Sequence, residues 1–246
     1  MKDSYQEVFT NKKRVLVVMP HPDDTELYCG GTLSRLIKDG KEVQVVKMTL
    51  GEKGSRQEKI SEEKLKEIRQ TEDINSMRML GIKDENNIYL DLGDGKVEES
   101  LDLIGIIAER IRIFQPDLII TTNPEDMVIR FNKENSWVNH RDHINTGKIV
   151  LYASYPYARD LSFFPEHFNN PNAKSHTCTE FLITDTYNHP DNVYIEMTNT
   201  LQDRINAHSC HKSQYSTEDA QDSADFFTAN WSKGKNYEIF RHLVID

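Results

Sequence analysis

Cysteine is scarce in this chain: of 246 residues only Cys29, Cys178 and Cys210 carry a thiol, an odd number with no repeated spacing. That argues against a disulfide framework and for reduced thiols without a redox role. Long apolar runs are also missing, since no stretch approaches the ~20 apolar residues that a membrane helix needs. The first residues, MKDSYQEVFTNKK, are charged and polar, so the expectation is a soluble, cytoplasmic protein with no integral membrane segment. Positive charge is in short supply: 30 Lys and Arg stand against 40 Asp and Glu, a net charge of −10, with no basic cluster. Such a balance repels phosphate backbones and excludes nucleic acid as a partner. Internal repeats, low-complexity tracts and Gly/Ser linkers are absent as well. One domain is therefore expected over residues 1–246, long enough to bury a sizeable core.

What is present is alternation. Arg14 to Met19 reads as a buried strand, Thr32 to Lys38 as a helix and Glu42 to Leu50 as a second strand, a βαβ unit with parallel strands and a right-handed crossover. Gly40 is placed as a helix C-cap, and Gly30 and Gly31 at the helix entry. A helix over Ser61–Leu80 carries the apolar stripe Leu65, Ile68, Ile74, Met77 and Leu80. Asn86–Leu92 then reads as a strand, Leu101–Phe114 as a helix and Pro116–Thr122 as a fourth strand. Residues 123–141 read as a loop and Asp142–Tyr155 as a helix, followed by an excursion or lid over Tyr157–Thr177. Strands over 180–184 and 192–197, two more helices and a closing strand complete an α/β chain.

Chemistry is suggested where the first strand ends, in VLVVMPHPDDTELYCGG. In an open parallel sheet, ligands bind beyond the carboxyl ends of the strands. A dinucleotide site would require G-x-G-x-x-G in this turn, which instead reads H-P-D-D. His21 and Asp24, three residues apart on a turn stiffened by Pro22, can converge on one cation; their N and O donors suit Zn²⁺, and also Fe²⁺ or Co²⁺. On its own H-x-x-D favours a structural reading, with His21 capping a strand and the aspartates capping the next helix. The second cluster, VNHRDHINTG, shifts the balance. It follows the fourth strand, which neighbours the first in a sheet ordered 3-2-1-4, so His140 or His143 can complete a His-Asp-His site. A third cluster with His208, Cys210 and His211 lies at a predicted helix end, without an obvious water-activating carboxylate, and reads as mainly structural.

These motifs resemble the LmbE/PIG-L family of zinc-dependent N-acetylglucosaminyl deacetylases. PHPDDTELYCGG matches the family's P-H-P-D-D-x-E…G-G, HRDH matches its H-x-D-H, and GEKGSR and AHSCHKSQYS follow in order. Tyr28 is a departure, at a position where the family often has a small residue, and 124–138 has no family pattern. The resemblance implies a Rossmann-like three-layer fold with a mostly parallel sheet, plus C-terminal strands and helices. It implies His21, Asp24 and His143 as metal ligands, Asp23 as general base and His140 as the donor to the oxyanion. Asp142 would orient a histidine through its second ring nitrogen or serve as a helix N-terminal carboxylate. Arg56 resembles a sugar-contacting arginine, Asp94 is a weaker candidate for hydroxyl contacts, and Glu26 supports the helix entry. The expected activity is hydrolysis of an acetyl or similar acyl group from the 2-amino position of an N-acetylglucosamine-type conjugate, a small-molecule substrate. Family members often form homo-oligomers, and no surface stripe fixes the order here. The alternative is a noncatalytic Rossmann-like module binding a nucleotide or sugar nucleotide.

Overall fold

The computed structural model describes residues 1–55, 59–229 and 234–245. A short helix α1 (Tyr5–Phe9) leads to strand β1 (Arg14–Met19), in which every residue after Arg14 is buried. Its alternate residues feed two cores: Val15, Val17 and Met19 pack with Leu33 and Leu36 on one face, Leu16 and Val18 with Ile107 and Ile111 on the other. This is why the strand reads as a continuous apolar run, as expected for a parallel strand covered on both faces.

Helix α2 (Asp24–Lys38) begins at Asp24, not at Thr32, so Gly30 and Gly31 lie inside the helix and not at its entry. Their reason is crowding. A Cβ on Gly31 would stand 2.4 Å from Met197 Cε and 2.7 Å from Met197 Cβ. A buried ion pair also grips this part of α2: Arg204 donates to the carbonyls of Glu26 and Leu27, while Glu238 accepts from the amides of Gly31 and Thr32. A regular helix would pair the Leu27 carbonyl with the Gly31 amide; here side chains take part in satisfying both groups. Gly31→Ala is therefore expected to lower unfolding free energy by about 1–3 kcal/mol through overpacking, as denaturant titration would show.

Strand β2 (Glu42–Lys47), helix α3 (Glu62–Met79) and the short strand β3 (Asn87–Tyr89) complete the first half-sheet. Helix α4 (Leu101–Phe114) and β4 (Leu118–Thr121) carry the chain back beside β1. Residues 123–141, expected to be a loop, contain an antiparallel ribbon of β5 (Val128–Arg130) and β6 (Ser136–Val138). Three-residue strands leave no readable period; Ile129 and Phe131 are organised by Tyr187, Phe226 and Phe227 from the far end of the chain. Helix α5 (Arg141–Tyr152) ends before Tyr155 and passes into a π turn over 153–157.

The following segment is no lid. Buried Arg112, near the end of α4, donates to the carbonyls of Tyr157, Ala158, Asp160 and Phe164, and His176 pairs with the Pro116 carbonyl. These partners sit at the amino end of β4, opposite the edge that carries the ligand loops.

Beyond lie β7 (Glu180–Ile183), β8 (Asn192–Glu196), α6 (Leu201–His208), α7 (Thr217–Thr228) and β9 (Tyr237–Val244). The seven-stranded sheet runs β3-β2-β1-β4-β7-β9-β8. It is parallel from β3 to β7 and antiparallel at the β7–β9 and β9–β8 pairings. The expected 3-2-1-4 order is present, and β1 and β4 flank the point where the order reverses. There the two outgoing connections diverge and leave a crevice. No helix among the described residues is long and apolar enough to cross a membrane.

Candidate active site

The crevice is built by two loops. After β1 the chain turns sharply at Asp23, whose φ of 88° lets α2 start at the next residue. After β4 the chain returns through β6 to His140, the N-cap of α5. Parallel pairing of β1 with β4 puts both loops over one edge. Asp24 Oδ2 lies 3.2 Å from His21 Nδ1 and 3.4 Å from His143 Nε2, and it also accepts from the His21 amide at 2.9 Å.

Three donors held about 2.1 Å from a tetrahedral ion stand about 3.4 Å from one another. Two of the separations among His21, Asp24 and His143, 3.2 and 3.4 Å, have that spacing, and all three donor atoms lie within 4.8 Å of one another. The donors also suit a cation electrically. Burial depresses the His143 imidazole to about 4, leaving it neutral with a lone pair. Burial would likewise lower His21, but hydrogen bonds to Asp142, Asp24 and Asp94 outweigh it and hold its pKa well above 6.5. Three carboxylates, of Asp24, Asp94 and Asp142, thus converge on the His21 ring, an acidic setting that favours a dication. These residues fit the ion.

Asp142, wholly buried, approaches His21 Nε2 at 3.3 Å and accepts from the Gly95 amide at 2.8 Å. It therefore serves His21, and it also lies in the first turn of α5. Asp94 is 3.2 Å from the same Nε2 and accepts from the Lys53 amide. Burial pushes Asp94 up, and its bonds with His21 more than reverse this, to about 2. His140 Nδ1 accepts from the Asp142 amide at 3.2 Å. In neutral His140 that places the proton on Nε2, as a donor. Its ring centre is 5.0 Å from that of His21. Arg56 lies outside the described residues.

Asp23 belongs to none of the donor groups. Its Oδ2 accepts from Arg69 Nη2 at 3.1 Å, and Arg69 also donates to the carbonyls of Pro22 and Gly51. Burial raises the Asp23 carboxyl to about 6 against the pull of the Arg69 guanidinium. Arg69 escaped the sequence reading because its charge groups it with the solvated surface of the helix, yet it is 3% exposed. Its place on the apolar stripe, four residues after Leu65 and eight before Met77, could have flagged it.

Two further donor groups occur among the described residues. His21, Asp94 and His140 form one on the Nε2 side of His21. Glu26, Asp73 and His211 form the other, but it holds its own cation: Lys47 Nζ lies 2.9 Å from Asp73, while Glu26 accepts from Ser76 and pairs with His211 Nε2 at 2.9 Å. Glu26 is thus a buried strut under the helix entry, tied to the third histidine cluster. His208 and Cys210 do not join His211 in any of these groups.

A model of the PIG-L family, described as GlcNAc-PI de-N-acetylase, matches residues 16–154. The chain belongs to the PIG-L family. The match spans the His21–Asp24 turn, Asp94 and the whole of HRDH. Diacetylchitobiose deacetylase of Thermococcus kodakarensis is 24% identical over 218 residues, 85% of this chain and 73% of that protein. Mycothiol S-conjugate amidase of Streptomyces coelicolor is 28% identical over 176 residues, 64% of this chain and only 56% of that protein. The solved structure of N,N′-diacetylchitobiose deacetylase from Pyrococcus horikoshii superposes with a TM-score of 0.81 at 25% identity, covering 97% of this chain and 86% of that one. A PIG-L chain with Asp23, Asp24, Asp94 and Asp142 gathered at this edge repels phosphate, which weighs against the nucleotide-binding alternative.

Proposed function

We propose that this PIG-L protein is a metal-dependent N-deacetylase, hydrolysing the 2-acetamido group of an N-acetylglucosamine-type conjugate. The observation that carries the proposal is the division of labour among neighbouring carboxylates. Asp24 shares its oxygen with two histidines, whereas Asp23, next in the chain, is buried, unligated and held by Arg69. His21, Asp24 and His143 would hold the metal, with zinc favoured by their N and O donors and Fe²⁺ or Co²⁺ as alternatives. The ion supplies Lewis acidity, polarising the amide carbonyl and making water easier to ionise.

Asp23 accepts a proton from the attacking water as the new C–O bond forms at the carbonyl carbon. It passes that proton to the nitrogen as the C–N bond breaks, so that amide and water become carboxylic acid and amine. His140 directs its Nε2–H to the carbonyl oxygen, which gains charge on the way. Asp142 holds the His21 ring through Nε2, fixing which nitrogen faces the ion. Asp94, beyond β3, receives sugar hydroxyls, and Arg56 is proposed for the same role from its sequence motif alone.

Metal-loaded protein is expected to release equal amounts of acetate and primary amine from N-acetylglucosamine or from N,N′-diacetylchitobiose. Amine labelling and an acetate assay measure both products. Absence of turnover across a panel of N-acetyl sugar conjugates, with metal verified in the protein, would overturn the assignment.

A further inference from the structure

Tyr28 occupies a wall of this crevice. It lies four residues after Asp24 on α2, one helical turn on, so both side chains share a face. The phenol ring meets the His143 ring edge-on at 6.0 Å and Phe227 at 6.4 Å. Buried Asp185 lies nearby and accepts from Tyr187 at 3.0 Å. The ring packs between His143 and Phe227, yet it keeps part of its surface exposed.

The order of loops along the carboxyl edge gives this wall a direction. Asp94 follows β3, His21 to Asp24 follow β1, His140 to His143 follow β4, and Asp185 follows β7. On the assignment proposed above, a sugar on the Asp94 side with its amide between β1 and β4 would point its acyl chain toward β7 and Tyr28.

We infer that Tyr28 is a specificity-determining residue that limits the acyl group to acetyl, its packed ring filling the space that a longer chain would need. This rests on the deacetylase assignment above. A flexible side chain would yield to an added methylene, whereas an aromatic ring packed between His143 and Phe227 forces strain, with or without its hydroxyl. One methylene misfitted in an apolar pocket changes kcat/KM by about 10–200-fold.

The test compares N-acetyl-, N-propionyl- and N-butyrylglucosamine conjugates with zinc-loaded wild type, Tyr28→Phe, Tyr28→Val and Tyr28→Ala. Wild type and Tyr28→Phe should prefer acetyl over butyryl by about 100-fold or more, and the two small-residue variants should bring the ratio within about tenfold. Titration calorimetry on Asp23→Asn protein, with and without Tyr28→Ala, should give the same ordering in Kd. A wild type that hydrolyses butyryl as readily as acetyl overturns the inference whether or not the variants fold. So does an unchanged ratio in folded Tyr28→Val or Tyr28→Ala; in both cases the deacetylase assignment stands. Failure of wild type on every amide removes the assignment and this inference together.

Discussion

Asp23→Asn is expected to lower kcat by about 10²–10⁴-fold, the usual contribution of a positioned general base, with metal content unchanged. Asparagine keeps an oxygen for Arg69 Nη2 but accepts no proton, so the variant separates basicity from architecture. The same change should stabilise the metal-free protein at neutral pH. The native Asp23 carboxyl is raised from 3.8 to about 6 by burial. Its protonated form therefore favours the folded state at low pH. As pH rises from 3.8 through about 6 the unfolded chain loses the proton first, and stability falls across that window. Two pKa units correspond to about 3 kcal/mol, the most that Asp23→Asn can recover above the window. Melting temperatures of variant and wild type should thus separate more at pH 8 than at pH 4. Full activity in Asp23→Asn would remove the base from the mechanism, and an unchanged gap in melting temperature would remove the argument from burial.

His143→Ala should abolish both metal binding and turnover. His143 supplies one of three donors around a shared point, and its neutral imidazole has no substitute among the neighbours of Asp24 Oδ2. Asp142→Ala acts one step removed, through His21 Nε2, and is expected to weaken metal affinity only about 10–100-fold. The loss in His143→Ala should exceed that range. Metal analysis of untagged protein gives the stoichiometry. Thermal melts with added zinc give the coupling, since a ligand at 1,000 times its Kd stabilises the folded state by about 4 kcal/mol. That shift should be large in wild type, reduced in Asp142→Ala and missing in His143→Ala. Stoichiometric metal retained in His143→Ala would show that the ion sits elsewhere, with the His21, Asp94 and His140 group as its place.

Much of the fold was legible because parallel strands buried on both faces leave long apolar runs, and capped amphipathic helices leave a period. Helix α4 has the predicted bounds, with Ser100 capping its first turn, and β1 runs over the predicted residues. Legibility failed where order comes from distant partners. The β5–β6 ribbon depends on an aromatic cluster from residues 187, 226 and 227, so its own short strands carry no signal. Gly30 and Gly31 looked like an entry to a helix because their real neighbours, Met197, Arg204 and Glu238, are far along the chain. Arg69 looked like solvated surface for the same reason, its three acceptors lying on two other loops.

By itself the sequence determined the donor chemistry: imidazoles and carboxylates at H-P-D-D and H-R-D-H, at the ends of strands whose apolar character makes them central. Such local features depend on residue type and short spacing, which the chain states directly. Tertiary structure alone decided which of those groups meet. His21 and Asp142 are 121 residues apart, and only the parallel pairing of β1 with β4 brings them within 3.3 Å. It also decided that Asp23 is buried against Arg69 and that Tyr28 is packed beside His143, because burial and packing are properties of neighbours in space.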